Sequence, residues 1–138
     1  QRLTDEMFLP IPIGIKDLND VAGMKTTYGS PLFKDNQVKN DDDIVAHLKE
    51  NSAIIFGKTN VPEHGFGATT TNPLQGSTGN PFNPSLSAGA STGGGAAAVA
   101  ASIVPLATGS DFAGSLRTPA GFCGIAGMRP SNGVVATG

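Results

Sequence analysis

The chain has 138 residues, enough for one domain, and a formal net charge of -2. Its 19 glycines and 10 prolines are well above the usual share, which excludes collagen-like and long-helix classes and favours a fold rich in loops. A slightly negative chain without basic stripes argues against nucleic acid and anionic membrane surfaces as partners.

The first half alternates extended and helical patterns. Residues 7–15 form an apolar run in which two prolines forbid a helix interior and favour extended backbone. Three acids at 41–43, followed by an apolar stripe and Lys49, predict a short amphipathic helix. Residues 53–57 predict a short buried strand that ends at a glycine. This order indicates an α/β fold.

The second half begins with a long irregular stretch, residues 59–91, which we predict to be mostly loop. Residues 94–102 are uniformly small and predict a helix whose neighbours approach closely on all sides. Residues 103–107 predict a second buried strand. Thr118, with the proline that follows it, predicts the start of another helix. Ser115 therefore lies between a strand and a helix N-terminus, where free N–H groups favour negative charge.

The charges are unevenly distributed along the chain. Residues 1–58 hold sixteen of the twenty Asp, Glu, Lys and Arg residues, and the rest of the chain holds four: Glu63, Asp111, Arg117 and Arg129. Four charged residues are too few for residues 59–138 to form a solvent-exposed surface of their own. The apolar runs in this stretch are also too short to cross a membrane. We interpret the second half as the core of a larger protein.

The single cysteine, Cys123, cannot form an internal disulfide. This is typical of a reducing compartment, and we predict a cytoplasmic location. The sequence begins at Gln1 with no initiator Met and no targeting signal, so we expect either a processed start or a fragment.

The sequence does not match several common functional motifs. Residues 57–59 lack the earlier glycine of a phosphate-binding loop. Residues 89–93 spell Gly-x-Ser-x-Gly, but no apolar strand precedes them and no histidine follows His64, which disfavours a Ser-His-Asp hydrolase within this chain. Neither His47 nor Cys123 has a partner at metal-ligand spacing, so we predict no metal site.

Three ordered segments carry the strongest functional signal. They are Gly-Ile-Lys-Asp-Leu-Asn-Asp-Val-Ala-Gly (14–23), Gly-Ala-Ser-Thr-Gly-Gly (89–94) and Gly-Ser-Asp-Phe-Ala-Gly-Ser-Leu-Arg-Thr-Pro-Ala-Gly-Phe-Cys-Gly (109–124). Together they resemble the amidase signature family of serine hydrolases, and the linking stretches 57–60 and 80–84 agree in order. The resemblance implies an α/β fold with a mixed β-sheet covered by helices, present in residues 1–138 as a single domain incomplete at both ends.

The same resemblance implies a Ser-Ser-Lys triad. By this resemblance we expect Ser115 to be the nucleophile, Ser91 to be the bridging serine after a cis peptide bond, and Lys16 to be the base. A lysine can accept a proton only when it is neutral, which requires burial. Apolar neighbours on both sides of Lys16 suit burial, although the adjacent Asp17 would favour the charged form if it pointed inward.

Further site residues follow from the resemblance. An oxyanion hole is expected from the backbone N–H groups of Phe112, Ala113, Gly114 and Ser115. Many family members have glycine at the position of Ala113. Because alanine has a side chain, we expect the backbone of Ala113 to adopt a conformation that an L-residue allows. Substrate contacts are expected from Gly89, Ala90 and Thr92. We expect Asp111 and Arg117 to be buried, hydrogen-bonded supports for the nucleophile loop, and Cys123 to belong to the core.

The function implied is cleavage of a small-molecule amide through an acyl-enzyme, without metal or cofactor. Three readings compete with it: an esterase, an amidotransferase A-type subunit on the same triad, and an inactive core fragment. We expect no nucleic acid or membrane partner, and either self-association or pairing with the missing part of the fold.

Overall fold

The computed structural model describes residues 10–135. The elements in chain order are β1 (Pro12–Lys16), α1 (Asp43–Glu50), β2 (Ile54–Thr59), β3 (Thr71–Asn72), β4 (Gly76–Ser77), β5 (Gly79–Asn80), β6 (Asn83–Ser87), α2 (Gly93–Ala100), β7 (Leu106–Ala107) and α3 (Arg117–Cys123).

A parallel sheet organises these elements. β1 lies in the centre, with β2 on one side and β7 on the other. Lys16 at the end of β1 pairs in register with Thr59 at the end of β2. Beyond β7, the backbone N–H of Thr108 donates to the carbonyl of Gly14 at 2.8 Å. Because the strands are parallel, the residues that follow them meet at one edge of the sheet.

One face of the sheet packs on the principal apolar cluster. Ile13 and Ile15 of β1 point to this face and contact Val45 of α1 and Val21, all buried. Side chains alternate between the two faces of a strand, so Gly14 and Lys16 lie on the other face.

The second face is covered by α2. Its small residues let the helix backbone lie close to its neighbours, and a Cβ on Gly94 would collide with the backbone of Asn60. Ala96 of α2 packs with Ala88 and with Cys123 of α3 in a second buried cluster. The close-packed small-residue helix and the core position of Cys123 are therefore as expected.

The α/β fold class is confirmed, but element boundaries differ from the prediction. The second predicted strand is reduced to Leu106–Ala107, because the chain is still closing the turn after α2 when Ile103 donates to the carbonyl of Ala98 at 2.9 Å. Residues 59–91 contain four short strands in two antiparallel pairs. Three of these have only two residues, too few to show a period-2 pattern. Residues 7–9 of the predicted extended run lie outside the described residues.

The predicted start of the last helix is also wrong. The helix begins at Arg117 with Leu116 at the N-cap, and Thr118 lies inside it. The reason is that the N–H of Thr118 already donates to the carbonyl of Gly114 at 2.8 Å, which closes a helical turn earlier than the proline signal indicates. Among residues 10–135, no helix has the length and apolar character needed to cross a membrane.

Replacing Ile15 should destabilise the fold far more than replacing Ile54. Ile15 is fully buried, whereas Ile54 on the neighbouring strand is 52% exposed. We expect Ile15→Ala to lower the free energy of unfolding by about 2–5 kcal/mol and Ile54→Ala to change it by less than about 1 kcal/mol. Urea denaturation of both variants measures the difference, and equal losses would contradict the packing described here.

Candidate active site

Lys16 stands at the carboxyl end of the central strand and is fully buried. Its backbone N–H donates to Thr108 Oγ1 at 2.9 Å, which links the end of β1 to the chain after β7. Its side chain lies on the α2 face of the sheet and reaches the segments on either side of that helix. A lysine is rarely buried without partners, so its contacts determine what it can do.

Three hydroxyl groups surround the amine of Lys16. Nζ lies 2.7 Å from Ser91 Oγ, 2.9 Å from Thr92 Oγ1 and 2.8 Å from Ser110 Oγ. A neutral amine has two N–H donors and one lone pair. Three hydroxyls therefore match it completely, because two can accept from the amine while the third donates its proton to the lone pair. The arrangement suits a lysine that takes a proton from a serine.

Ser110, one of the three hydroxyl residues around Lys16 Nζ, is not predicted from the sequence. It lies in the segment after β7, four residues beyond the strand's first residue, and both its hydroxyl and its carbonyl approach Nζ of Lys16. One feature of the sequence could have indicated Ser110. It lies in the 109–124 segment, at the edge of the sheet where the parallel strands end.

Burial governs the protonation of Lys16. Loss of solvation lowers its pKa to about 8, and the negative charge of Asp111 partly opposes this. The adjacent Asp17 is paired with Lys58, with Nζ to Oδ1 at 2.9 Å, and also accepts hydrogen bonds from Thr27. The carboxylate that precedes Leu18 and follows Lys16 in sequence is therefore ion-paired with Lys58.

The loop that carries Ser91 is buried throughout. The peptide bond between Ala90 and Ser91 is cis. Two groups proposed for substrate contact have other partners, because Thr92 Oγ1 binds Lys16 and the carbonyl of Gly89 accepts from Thr70 Oγ1 at 2.8 Å. Thr92 thus contacts Lys16 and Gly89 is held by Thr70. Substrate contact by Gly89, Ala90 and Thr92 stays a prediction.

Ser115 lies beside this loop and is partly exposed. Its carbonyl accepts a hydrogen bond from the N–H of Thr92 at 3.0 Å, which joins the two serine loops through their backbones. Within residues 10–135, no hydrogen bond connects Ser115 Oγ with Ser91. The structure thus brings Lys16 and Ser91 into direct contact and places Ser115 next to them.

Asp111 organises the loop that carries Ser115. Its carboxylate accepts from the N–H groups of Gly114 at 2.8 Å and Leu116 at 3.2 Å, and from Arg117 Nε at 2.9 Å. The Arg117 guanidinium and these N–H groups hold the pKa of Asp111 well below its usual range. The side chain of Asp111 is buried as expected. Arg117 is not, since 60% of its side chain is exposed, because it reaches Asp111 from the outer surface of the loop.

The backbone of this loop differs from residue to residue in conformation and in the hydrogen bonds of its N–H groups. Gly114 has a φ of 108°, so the left-handed conformation falls on the glycine, and Ala113 has no positive φ. The N–H of Gly114 is already donated to Asp111. In the described part of the chain, no hydrogen bond engages the N–H groups of Phe112, Ala113 or Ser115.

The two histidines lie elsewhere. His64 is exposed and stacks on Tyr28, with ring centroids 6.5 Å apart. His47 is exposed on α1, 3.8 Å from Glu50. Across residues 10–135, no three His, Cys, Asp or Glu side chains are grouped in a way that could hold a metal ion.

A family profile described as Amidase matches residues 2–138. The chain belongs to the amidase family. Among curated proteins, it is 45% identical over 127 residues to an indoleacetamide hydrolase of Pseudomonas syringae pv. syringae, which covers 92% of this chain and 28% of that protein. It is 44% identical over 126 residues to the A subunit of the glutamyl-tRNA(Gln) amidotransferase of Legionella pneumophila, which covers 91% of this chain and 26% of that protein.

A solved structure agrees with this amidase assignment. The A subunit of the glutamyl-tRNA(Gln) amidotransferase of Thermotoga maritima superposes with a TM-score of 0.89 at 38% identity, covering 91% of this chain and 28% of that one. The predicted family and its fold are therefore confirmed. The chain spans little more than a quarter of the length of these relatives.

The titration of Lys16 can be measured directly. In protein labelled with ¹³C at the lysine Cε, we expect one resonance to titrate with a midpoint near pH 8, far below the pKa of about 10.4 of a solvated lysine. The variant Lys16→Met should remove that resonance and leave the others. A spectrum in which every lysine titrates near the ordinary value would contradict the lowered pKa of the buried amine.

Proposed function

We propose that the protein cleaves carboxylic amide C–N bonds through an acyl-enzyme, with Ser115 as nucleophile, Ser91 as proton relay and Lys16 as base. The observation that carries the proposal is the 2.7 Å contact between Lys16 Nζ and Ser91 Oγ, made by a fully buried amine. Burial lowers the pKa of that amine to about 8, which leaves a useful neutral fraction near neutral pH.

The reaction begins when Ser115 Oγ transfers its proton to Ser91 Oγ as Ser91 gives its own proton to Lys16 Nζ. Ser115 Oγ forms a bond to the amide carbon, and the carbonyl oxygen becomes an oxyanion. Collapse of this intermediate breaks the C–N bond, and the leaving nitrogen takes the proton back from Lys16 through Ser91. Water then attacks the acyl-enzyme by the same route, and the acid is released.

The oxyanion needs donors that are not already in use. The N–H groups of Phe112, Ala113 and Ser115 meet this condition, whereas that of Gly114 binds Asp111. A well-placed donor of this kind typically contributes about 3–4 kcal/mol to transition-state stabilisation. Asp111 supports the role indirectly, because its bonds to the loop backbone fix the direction in which the remaining N–H groups point.

Small-molecule amides are the proposed substrate class. The related indoleacetamide hydrolase carries such a substrate in its name. We also propose that further polypeptide completes the pocket, since this chain covers 28% of that relative. Several large apolar side chains on the surface are available to pack against it: Phe56, Phe66, Ile103 and Phe112.

An amidotransferase A-type subunit is the second candidate, because the chain is 44% identical to one of that kind. The first chemical half is the same in both cases, and the two functions differ in what happens to the released nitrogen. A hydrolase frees it as an amine, whereas an amidotransferase passes ammonia from glutamine to an acceptor.

Labelling with a fluorophosphonate tests the nucleophile. We expect a single adduct on Ser115, located by peptide mass spectrometry, and no adduct in Ser115→Ala. Ser85→Ala is a matched control, because Ser85 is an exposed serine outside the site, and it should label normally. An adduct on any other serine of active protein would overturn the assignment.

Parallel turnover of an aryl amide, an aryl ester and glutamine then separates the candidate reactions. Hydrolysis of the aryl amide, lost in Ser115→Ala, is the outcome we expect. Activity confined to the ester, or to glutamine in the presence of a partner protein, would favour an alternative function.

A further inference from the structure

Thr70 is a buried residue that belongs to none of the three family segments. It is 1% exposed and lies directly before β3. Its hydroxyl donates to the carbonyl of Gly89 at 2.8 Å and accepts from the N–H of Gly93 at 3.2 Å. One hydroxyl thus bridges the two ends of the short loop that carries Ser91.

The bond to Gly93 also serves helix α2. The first N–H groups of a helix have no partner within it, and the side chain of the N-cap residue usually supplies one. The N-cap of α2 is Thr92, yet its side chain makes no capping bond. Its hydroxyl accepts from Lys16 Nζ at 2.9 Å and lies 3.4 Å from the carbonyl of Ser110. Thr70 instead binds the N–H of Gly93, the first residue of the helix, and the carbonyl of Asn60 accepts from the N–H of Gly94 at 3.2 Å. Two distant segments therefore supply partners for the first turn of α2.

The position of Thr70 is itself fixed. Its carbonyl accepts from the N–H of Thr78 at 2.9 Å, and the next residue begins the β3–β4 pair. The fit to the helix is tight, because a Cβ on Gly93 would collide with Thr70 Oγ1. Because the Thr70 side chain is held in place, it also restricts the movement of the loop to which it is hydrogen-bonded.

We propose that Thr70 is a positioning residue for the Ser91 loop. By accepting from the N–H of Gly93, it holds the first turn of α2 next to Thr92, whose hydroxyl binds Lys16. By holding Gly89 and Gly93, it keeps Ser91 within hydrogen-bonding distance of the same amine. This role rests on the proposed function, in which Ser91 must lie between the base and the nucleophile.

The test compares three variants by turnover of an aryl amide per active site, with sites counted by fluorophosphonate titration. Thr70→Val keeps the shape but removes both hydrogen bonds, and we expect kcat per site to fall about 10- to 100-fold with little change in KM. Thr70→Ser restores the hydroxyl and should restore most of the rate. Thr69→Val, at an exposed neighbour, should behave like the unsubstituted protein.

A residue that only stabilises the fold would give another result. Thr70→Val would then unfold at lower temperature, yet each titrated site would turn over at the normal rate. That outcome, or a Thr70→Ser variant as impaired as Thr70→Val, would overturn the proposal.

Amide hydrogen exchange of Gly93 provides a readout that does not need activity. We expect the Gly93 N–H to be protected in the unsubstituted protein and in Thr70→Ser, and to exchange faster in Thr70→Val. A Gly93 amide that exchanges freely in the unsubstituted protein would overturn the role of Thr70 even if that valine variant does not fold. An inactive protein with a protected Gly93 would instead count against the proposed function.

Discussion

The burial of a single amine determines the organisation of this protein. Placing Lys16 out of solvent penalises its charged form strongly, and three hydroxyl oxygens at 2.7–2.9 Å compensate by hydrogen bonding to it. The loss of solvation outweighs the attraction of the negatively charged Asp111, so the pKa of the amine is lowered to about 8. These conditions turn an ordinary cation into a group able to accept a proton near neutral pH.

The rest of the fold can be understood as support for that arrangement. Parallel pairing brings the end of β1 and the chain after β7 to one edge of the sheet, so Lys16 and Ser110 meet although they are far apart in sequence. A helix of small residues can then lie against this edge, with Ser91 and Thr92 directly before its first residue. Asp111 fixes the loop that carries Ser115 by binding its backbone.

The sequence predicts the parts of this site that depend on local motifs. The family resemblance of ordered segments implies Lys16, Ser91 and Ser115 as a triad, which stays a prediction. The apolar neighbours of Lys16 predict its burial, which the structure shows. Ser110 and Thr70 escape prediction because their contacts join distant segments, and a threonine in a polar loop gives no local sign that it binds the first turn of a helix. The predicted start of α3 at Thr118 is wrong because the N–H of Thr118 already bonds the carbonyl of Gly114, so the first turn forms before the proline. The exposure of Arg117 depends on the direction from which it reaches Asp111, which no pattern records.

We propose that the neutral amine of Lys16 drives attack by Ser115. The pre-steady-state rate of acylation by an aryl ester, followed from about pH 6 to about pH 10, tests this most directly. We predict a rate that rises with pH to a plateau, with a midpoint near 8, and that falls at least about 100-fold in Lys16→Met. A rate that is independent of pH across this range, or that survives the substitution, would contradict the claim.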